Sequence, residues 1–123
     1  MRMRILAVLL VATAGALTTG AFAAGTDVPK MLAEQGCTGC HADKTKVVGP
    51  AWGWVAYHYK DTAKQKAVAD VAAFIISGGT GYWKKWTGGI PMPAHSNLSR
   101  NQADAIASWI LSQPPIAPPK PGA

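Results

Sequence analysis

Cys37, Cys40 and His41 stand together in the run Cys37-Thr38-Gly39-Cys40-His41, and the chain has no other cysteines. Two thiols at this spacing can each form a thioether to one vinyl group of a porphyrin. The histidine that follows can then turn a ring nitrogen towards the iron, so the pentapeptide reads as a covalent haem attachment site. Structural zinc would need four Cys or His ligands, usually as two pairs, and His58 and His95 do not form a His-pair motif. A redox dithiol would sit in a βαβ pattern, for which the chain offers no strands. A lone disulfide fits an oxidising compartment but leaves the adjacent histidine unexplained.

Haem iron takes one more axial ligand. Met92 lies in Ile90-Pro91-Met92-Pro93-Ala94-His95, where two prolines forbid a regular helix and hold the chain extended. Such a loop can hold a thioether against a metal from the side opposite His41. His95 is the main rival, which makes the choice one between Met/His and His/His pairs. His58 is a weaker candidate, and Met31 reads as core filler. The Pro50 carbonyl is free to accept a bond from the second nitrogen of His41, fixing tautomer and ring orientation. A plain turn before a helix accounts for Gly49-Pro50 equally well. Within Thr80–Gly89 a buried tryptophan needs an acceptor for its indole N–H, and a haem propionate is the natural one.

Helices must position these groups. Asp27 or Thr26 caps a first helix with Pro29 in its opening turn. It runs towards Gly36, where the glycine suggests close approach of another backbone. Trp52–Tyr59 reads as a short aromatic helix. Asp61 or Thr62 can cap the next, whose buried stripe is Val68, Val71, Ala72, Ile75 and Ile76, ended by Ser77-Gly78-Gly79. Ser99 and Gln102 form a capping box for the last helix. Its stripe is Ala103, Ile106, Ala107, Ile110 and Leu111, expected to cross the first helix near Gly36. Pro114–Ala123 is Pro-rich and reads as an extended, flexible tail outside the core.

The N-terminus has a basic start at Arg2 and Arg4, an apolar run from Ile5 to Leu17 and the small-x-small site Ala21-Phe22-Ala23. This is a secretory signal peptide over residues 1–23, with cleavage after Ala23 or the next residue. Its apolar run is short of the roughly 20 residues a membrane span needs, so no stable membrane insertion is expected after cleavage. Removing Arg2 and Arg4 lowers the formal charge from +6 to +4, and two ionised propionates would lower it to about +2. That balance excludes a nucleic-acid binder, which needs clustered Lys and Arg, and permits attraction to an acidic protein face. A mature domain this small gains from a staple, and a covalent haem serves as one.

Cys37–His41, Val48-Gly49-Pro50-Ala51, Gly89-Ile90-Pro91-Met92-Pro93 and Ala107–Gln113 together resemble the small bacterial class I cytochromes c, from about Val28 to Gln113. The resemblance implies an all-α cytochrome c fold of four to five short helices wrapped round one haem c, over residues 24–113. It implies Cys37 and Cys40 as covalent attachment points, with His41 and Met92 axial. It further implies that the Pro50 carbonyl holds His41 and that a loop tryptophan, assigned to Trp86 with Trp83 as the alternative, bonds a propionate. The implied protein is a monomeric periplasmic electron carrier and not an enzyme, exchanging electrons with a reductase, oxidase or dehydrogenase. The alternative is a dedicated haem subunit of one periplasmic dehydrogenase, such as a sulfite- or alcohol-oxidising enzyme. The density of Trp and Tyr in Trp52–Tyr59 and Tyr82–Trp86 motivates that alternative, since exposed aromatics mark interfaces.

Overall fold

In the computed structural model, which describes residues 26–123, helix α1 spans Val28–Glu34. It begins where the Asp27 carboxylate accepts the Lys30 amide at 3.1 Å, satisfying one of the orphan donors of the first turn. Gly36 follows with φ +72°, and nothing lies within 4 Å of the place a Cβ would take. The expected close approach at Gly36 is therefore absent; the glycine is there for its left-handed backbone. That bend delivers Cys37–Gly39 as a 3-10 turn. Helix α2 spans Trp52–His58, α3 Lys64–Ser77, α4 Lys84–Thr87 and α5 Arg100–Leu111, with a second 3-10 turn at Gly81–Trp83. Among the described residues there is no strand, only isolated antiparallel bridges at His41–Lys46 and Gly79–Met92. No described helix is long and apolar enough to cross a membrane. The predicted signal peptide, residues 1–23, lies outside the described residues.

Helix α5 is the centre of the packing and lies against α1, α2 and α3. It buries Ala103, Ile106, Ala107 and Ile110, four of the five stripe positions, with Leu111 half-buried. Its capping box is formed: Ser99 accepts the Gln102 amide, and the Gln102 side chain accepts the Ser99 amide. Helix α1 contributes Leu32 to the core, not a contact at Gly36. Helix α3 buries Val71, Ala72 and Ile75 as the stripe requires, and Ala67 in addition. The predicted cap at Asp61 or Thr62 is not used. The Thr62 amide closes a turn on the Tyr59 carbonyl, Asp61 pairs with Lys60, and α3 starts later, after Ala63, without a side-chain cap.

The Pro-rich tail is laid on the domain and does not run free of it. The Ile116 N–H donates to the Gly53 carbonyl at 2.8 Å, and the Ile116 side chain packs against the core. Further on, the Trp86 indole N–H donates to the Pro119 carbonyl at 2.8 Å. Proline-rich backbone leaves its carbonyls unpaired within the segment, so it has acceptors to offer wherever a donor lies across its path. At the crossing over α2 the helix carries Gly53. A Cβ there would stand 2.9 Å from both the Ile116 Cδ1 and the Pro114 carbonyl oxygen.

Candidate functional site

The backbone after the Cys-x-x-Cys turn folds back on itself to aim His41. The Cys40 carbonyl accepts the amides of Val48 and Gly49, and the Ala42 carbonyl accepts that of Trp52. These bonds bring Pro50 over the histidine ring, whose Nδ1 lies 2.7 Å from the Pro50 oxygen. A carbonyl only accepts, so Nδ1 carries the hydrogen and Nε2 keeps its lone pair. Burial holds His41 below its ordinary pKa of 6.5, with the Pro50 bond opposing that shift. The neutral ring, the form a metal ligand requires, is thus the favoured one. The ring also lies nearly parallel to Trp52, at 6.2 Å between centroids and 13°.

Gly49 is packed flat against this ring. An added Cβ would lie 2.3 Å from His41 Cε1, 2.7 Å from Nε2 and 2.8 Å from Nδ1. Because Pro50 pins the ring from one side, it cannot swing clear without losing that bond. Gly49→Ala is expected to destabilise the protein by about 2 kcal/mol or more, from overpacking and the lost hydrogen bond. Chemical denaturation of the two purified proteins checks this, with the wild-type midpoint as reference.

Cys37, Cys40 and His41 open onto a cavity of about 380 Å³ whose lining also includes Met92. Most of the remaining wall is apolar: Leu32 of α1, Trp52 of α2, Val71 and Ile75 of α3, Ile106 and Ile110 of α5. Met92 is fixed by a two-way backbone bridge. Its N–H donates to the Gly79 carbonyl at 2.8 Å, and the Gly79 N–H donates back at 2.9 Å. The preceding Gly78 has φ +69°, and a Cβ there would meet the Met92 carbonyl oxygen at 2.5 Å, so only glycine lets α3 end this close to the methionine loop. His95, the rival ligand, does not line the cavity. Its Nδ1 is 3.3 Å from Gln35 Oε1, which also accepts from Asn97 at 3.2 Å, so these two residues tie the loop to the end of α1. Met31 packs against the core and is likewise absent from the lining. His58 does reach the cavity wall, where it stacks on Tyr82 at 4.0 Å, and burial lowers its pKa.

Of the two loop tryptophans, the alternative Trp83 lies at the cavity and the assigned Trp86 does not. Trp86 commits its one N–H to Pro119 and is not part of the cavity lining, whereas Trp83 is buried and lines it. The reason is the helical turn α4, in a Gly- and Trp-rich stretch whose sequence predicts a loop. It turns Trp86 away from the cavity and towards the tail, where the ring stays partly buried against the core. The next residue, Thr87, faces inward instead. Its hydroxyl is buried in the cavity wall without a hydrogen-bond partner. Nothing in the local sequence marked this threonine, because its significance lies in what the rest of the fold denies it.

This donor set fits a covalently held haem. Two thiols and one imidazole share a wall, a thioether sits in the same cavity, and the space between is apolar. The orphaned Thr87 hydroxyl needs an acceptor, and the carboxylates of a haem are the acceptors such a group would bring. Burial pushes the Cys37 thiol above its ordinary pKa, whereas a reactive redox dithiol depends on a lowered one.

Comparison with known proteins agrees with this chemistry. A family model described as cytochrome c matches residues 28–114. Cytochrome c2 of Rhodocyclus tenuis is 41% identical over 87 residues, covering 70% of this chain and 91% of that protein. Cytochrome c-551 of Pseudomonas aeruginosa is 39% identical over 104 residues, covering 85% and 91%. The crystal structure of wild-type Nitrosomonas europaea cytochrome c552 superposes with a TM-score of 0.61 at 38% identity, covering 69% of this chain and 98% of that one.

Proposed function

The chain belongs to the cytochrome c family, and from that membership we propose that it carries single electrons between respiratory redox partners in the periplasm. Its cofactor is haem c, covalently bound. The single observation that supports the finer reading is that one cavity gathers Cys37, Cys40, His41 and Met92. In this reading Cys37 and Cys40 are the thioether attachment points, and His41 and Met92 are the axial ligands of a low-spin iron.

The haem supplies a reversible one-electron change at its iron. The chain's part is to hold and tune it. Pro50 fixes the His41 tautomer through Nδ1, which leaves Nε2 to the metal and raises the ligand's basicity. The Gly79 bridge stiffens the backbone on which Met92 is offered. A Met/His pair raises the reduction potential relative to His/His, which suits a carrier towards the oxidising end of a chain. With both axial positions taken by side chains, none is left for a substrate, so the protein is read as a carrier and not an enzyme. The apolar wall keeps water and its high dielectric away from the site. In this reading Trp83, which lines the cavity where Trp86 does not, and Thr87, with its unpartnered hydroxyl, are the donors to the propionates.

Charge supports a docking face around the cavity mouth. The four ion pairs found among the described residues are Lys30–Glu34, Lys60–Asp61, Lys66–Asp70 and Arg100–Asp104. They leave out Lys44 and Lys46, exposed beside the attachment site, and Lys84 and Lys85 on α4. Val47 and Val48 provide exposed apolar surface beside Lys46. Electron-transfer contacts of this kind bury little area. With an acidic redox partner, replacing Lys44 and Lys46 by glutamate is expected to slow second-order electron transfer about tenfold at low salt. The difference should shrink as ionic strength rises. Stopped-flow rates that ignore both charge and salt would remove the lysine face from the account.

Tyr82 and Ile90 are more than half exposed, at 56% and 57%, and both line the cavity mouth. This apolar rim favours, as a second reading, a haem subunit bound tightly to one dehydrogenase. Size-exclusion chromatography of the native protein separates the two: a monomer supports the diffusible carrier, a fixed complex the subunit.

A further inference from the structure

Helix α4 is one turn long, and its main packing partner is the 3-10 turn just before it. The longer helices hold one another through α5, but α4 has no comparable support. Yet this turn carries the buried, unpartnered hydroxyl of Thr87 in the cavity wall. Something must keep it there, since a four-residue helix has no stability of its own.

The tail supplies that tie. It leaves the end of α5, is pinned to α2 through Ile116 and Gly53, and ends its described contacts on Trp86, the neighbour of Thr87. Trp86 in turn meets Trp83 edge-on at 5.4 Å and stacks on Tyr82 at 5.5 Å, and both of those rings line the cavity. The strap is thus attached on one side to the rigid part of the fold and on the other to its least supported wall.

We propose that the C-terminal segment 114–123 is a strap that holds α4 against the haem cavity, so that the Thr87 hydroxyl is presented to a haem carboxylate. The proposal rests on the haem reading above and adds to it a positioning role for Trp86 and for the tail. Its energetic scale is that of the ties themselves. One hydrogen bond of ordinary net strength corresponds to about a fivefold change in an opening equilibrium, and the Ile116 anchorage adds to it.

The test compares holoproteins: wild type, Thr87→Val, Thr87→Ser, Trp86→Phe, a chain ending at Gln113, and that truncation combined with Thr87→Val. Reduction potential is the first readout. Removing a donor from an anionic carboxylate leaves more negative charge by the iron and favours the ferric state, so Thr87→Val should lower the potential and Thr87→Ser should hold it. Truncation and Trp86→Phe should move it the same way, and truncation should add little once Thr87 is valine. The second readout is amide hydrogen exchange over residues 82–87, which should quicken about fivefold in Trp86→Phe and more in the truncated chain. Truncation that leaves both readouts at wild-type values overturns the strap. So does a truncation effect that adds in full to that of Thr87→Val, because the tail would then act elsewhere. Failure of the haem reading is distinguishable, since the wild-type holoprotein itself would lack covalent haem or a methionine-ligated spectrum.

Discussion

Replacing Met92 with alanine is expected to leave the haem attached and take away the second iron ligand proposed for it. The ferric absorption band that methionine–iron bonding gives near the red end of the spectrum should vanish, and carbon monoxide should bind the reduced protein. The reduction potential should fall by an amount on the order of hundreds of millivolts, the scale on which axial ligands set it. The prediction is specific to Met92. Its backbone is bridged to Gly79 in both directions and it lines the cavity, whereas His95 is bonded to Gln35 and does not. His95→Ala should therefore keep the band while loosening the loop. Optical and redox titration of the two variants decides it, and a Met92→Ala protein with wild-type spectrum and potential would mean that another side chain holds the iron.

Replacing both Cys37 and Cys40 with alanine should convert the haem from a permanent part of the chain into an extractable one. Acidified organic solvent, which leaves thioether-bound haem on the polypeptide, should strip it from this variant completely. The fold should suffer as well. Cavities left in protein interiors cost on the order of 24 cal/mol per Å³, which for about 380 Å³ amounts to about 9 kcal/mol. The whole stability of a small domain is only about 5–15 kcal/mol. Haem loss should therefore carry most of the tertiary structure with it, visible as collapse of the near-ultraviolet circular dichroism. A double variant that retained haem through the solvent extraction would show that neither thiol is an attachment point.

Several features were legible from the chain because the interactions behind them are local. The capping box at Ser99 and Gln102 spans three residues, and the bond from Lys30 to Asp27 also spans three. The stripes of α3 and α5 follow from helical period alone, and most of their members are buried. The bond from His41 to Pro50 reaches across nine positions, and the residues alone left it level with a simple turn. Only the resemblance to small cytochromes c favours the bond over the turn. At Gly36 the residue type is legible but its cause is not, since a positive φ and a close neighbour both require glycine and only the structure shows the first to apply.

What the sequence by itself determined is the chemistry: two thiols and an imidazole in one short run, and a methionine between two prolines. Residue type and short-range spacing are enough for that, because covalent reach and proline stereochemistry do not depend on the rest of the fold. Which tryptophan faces the cavity, whether Thr87 is satisfied, and whether the last ten residues join the domain were decided only by tertiary structure. One extra helical turn at Lys84–Thr87 rotates Trp86 away from the cavity and Thr87 into its wall. A proline-rich segment can be docked only by donors brought to it from elsewhere, here Trp86 from 33 positions away, and no local pattern in the segment records them.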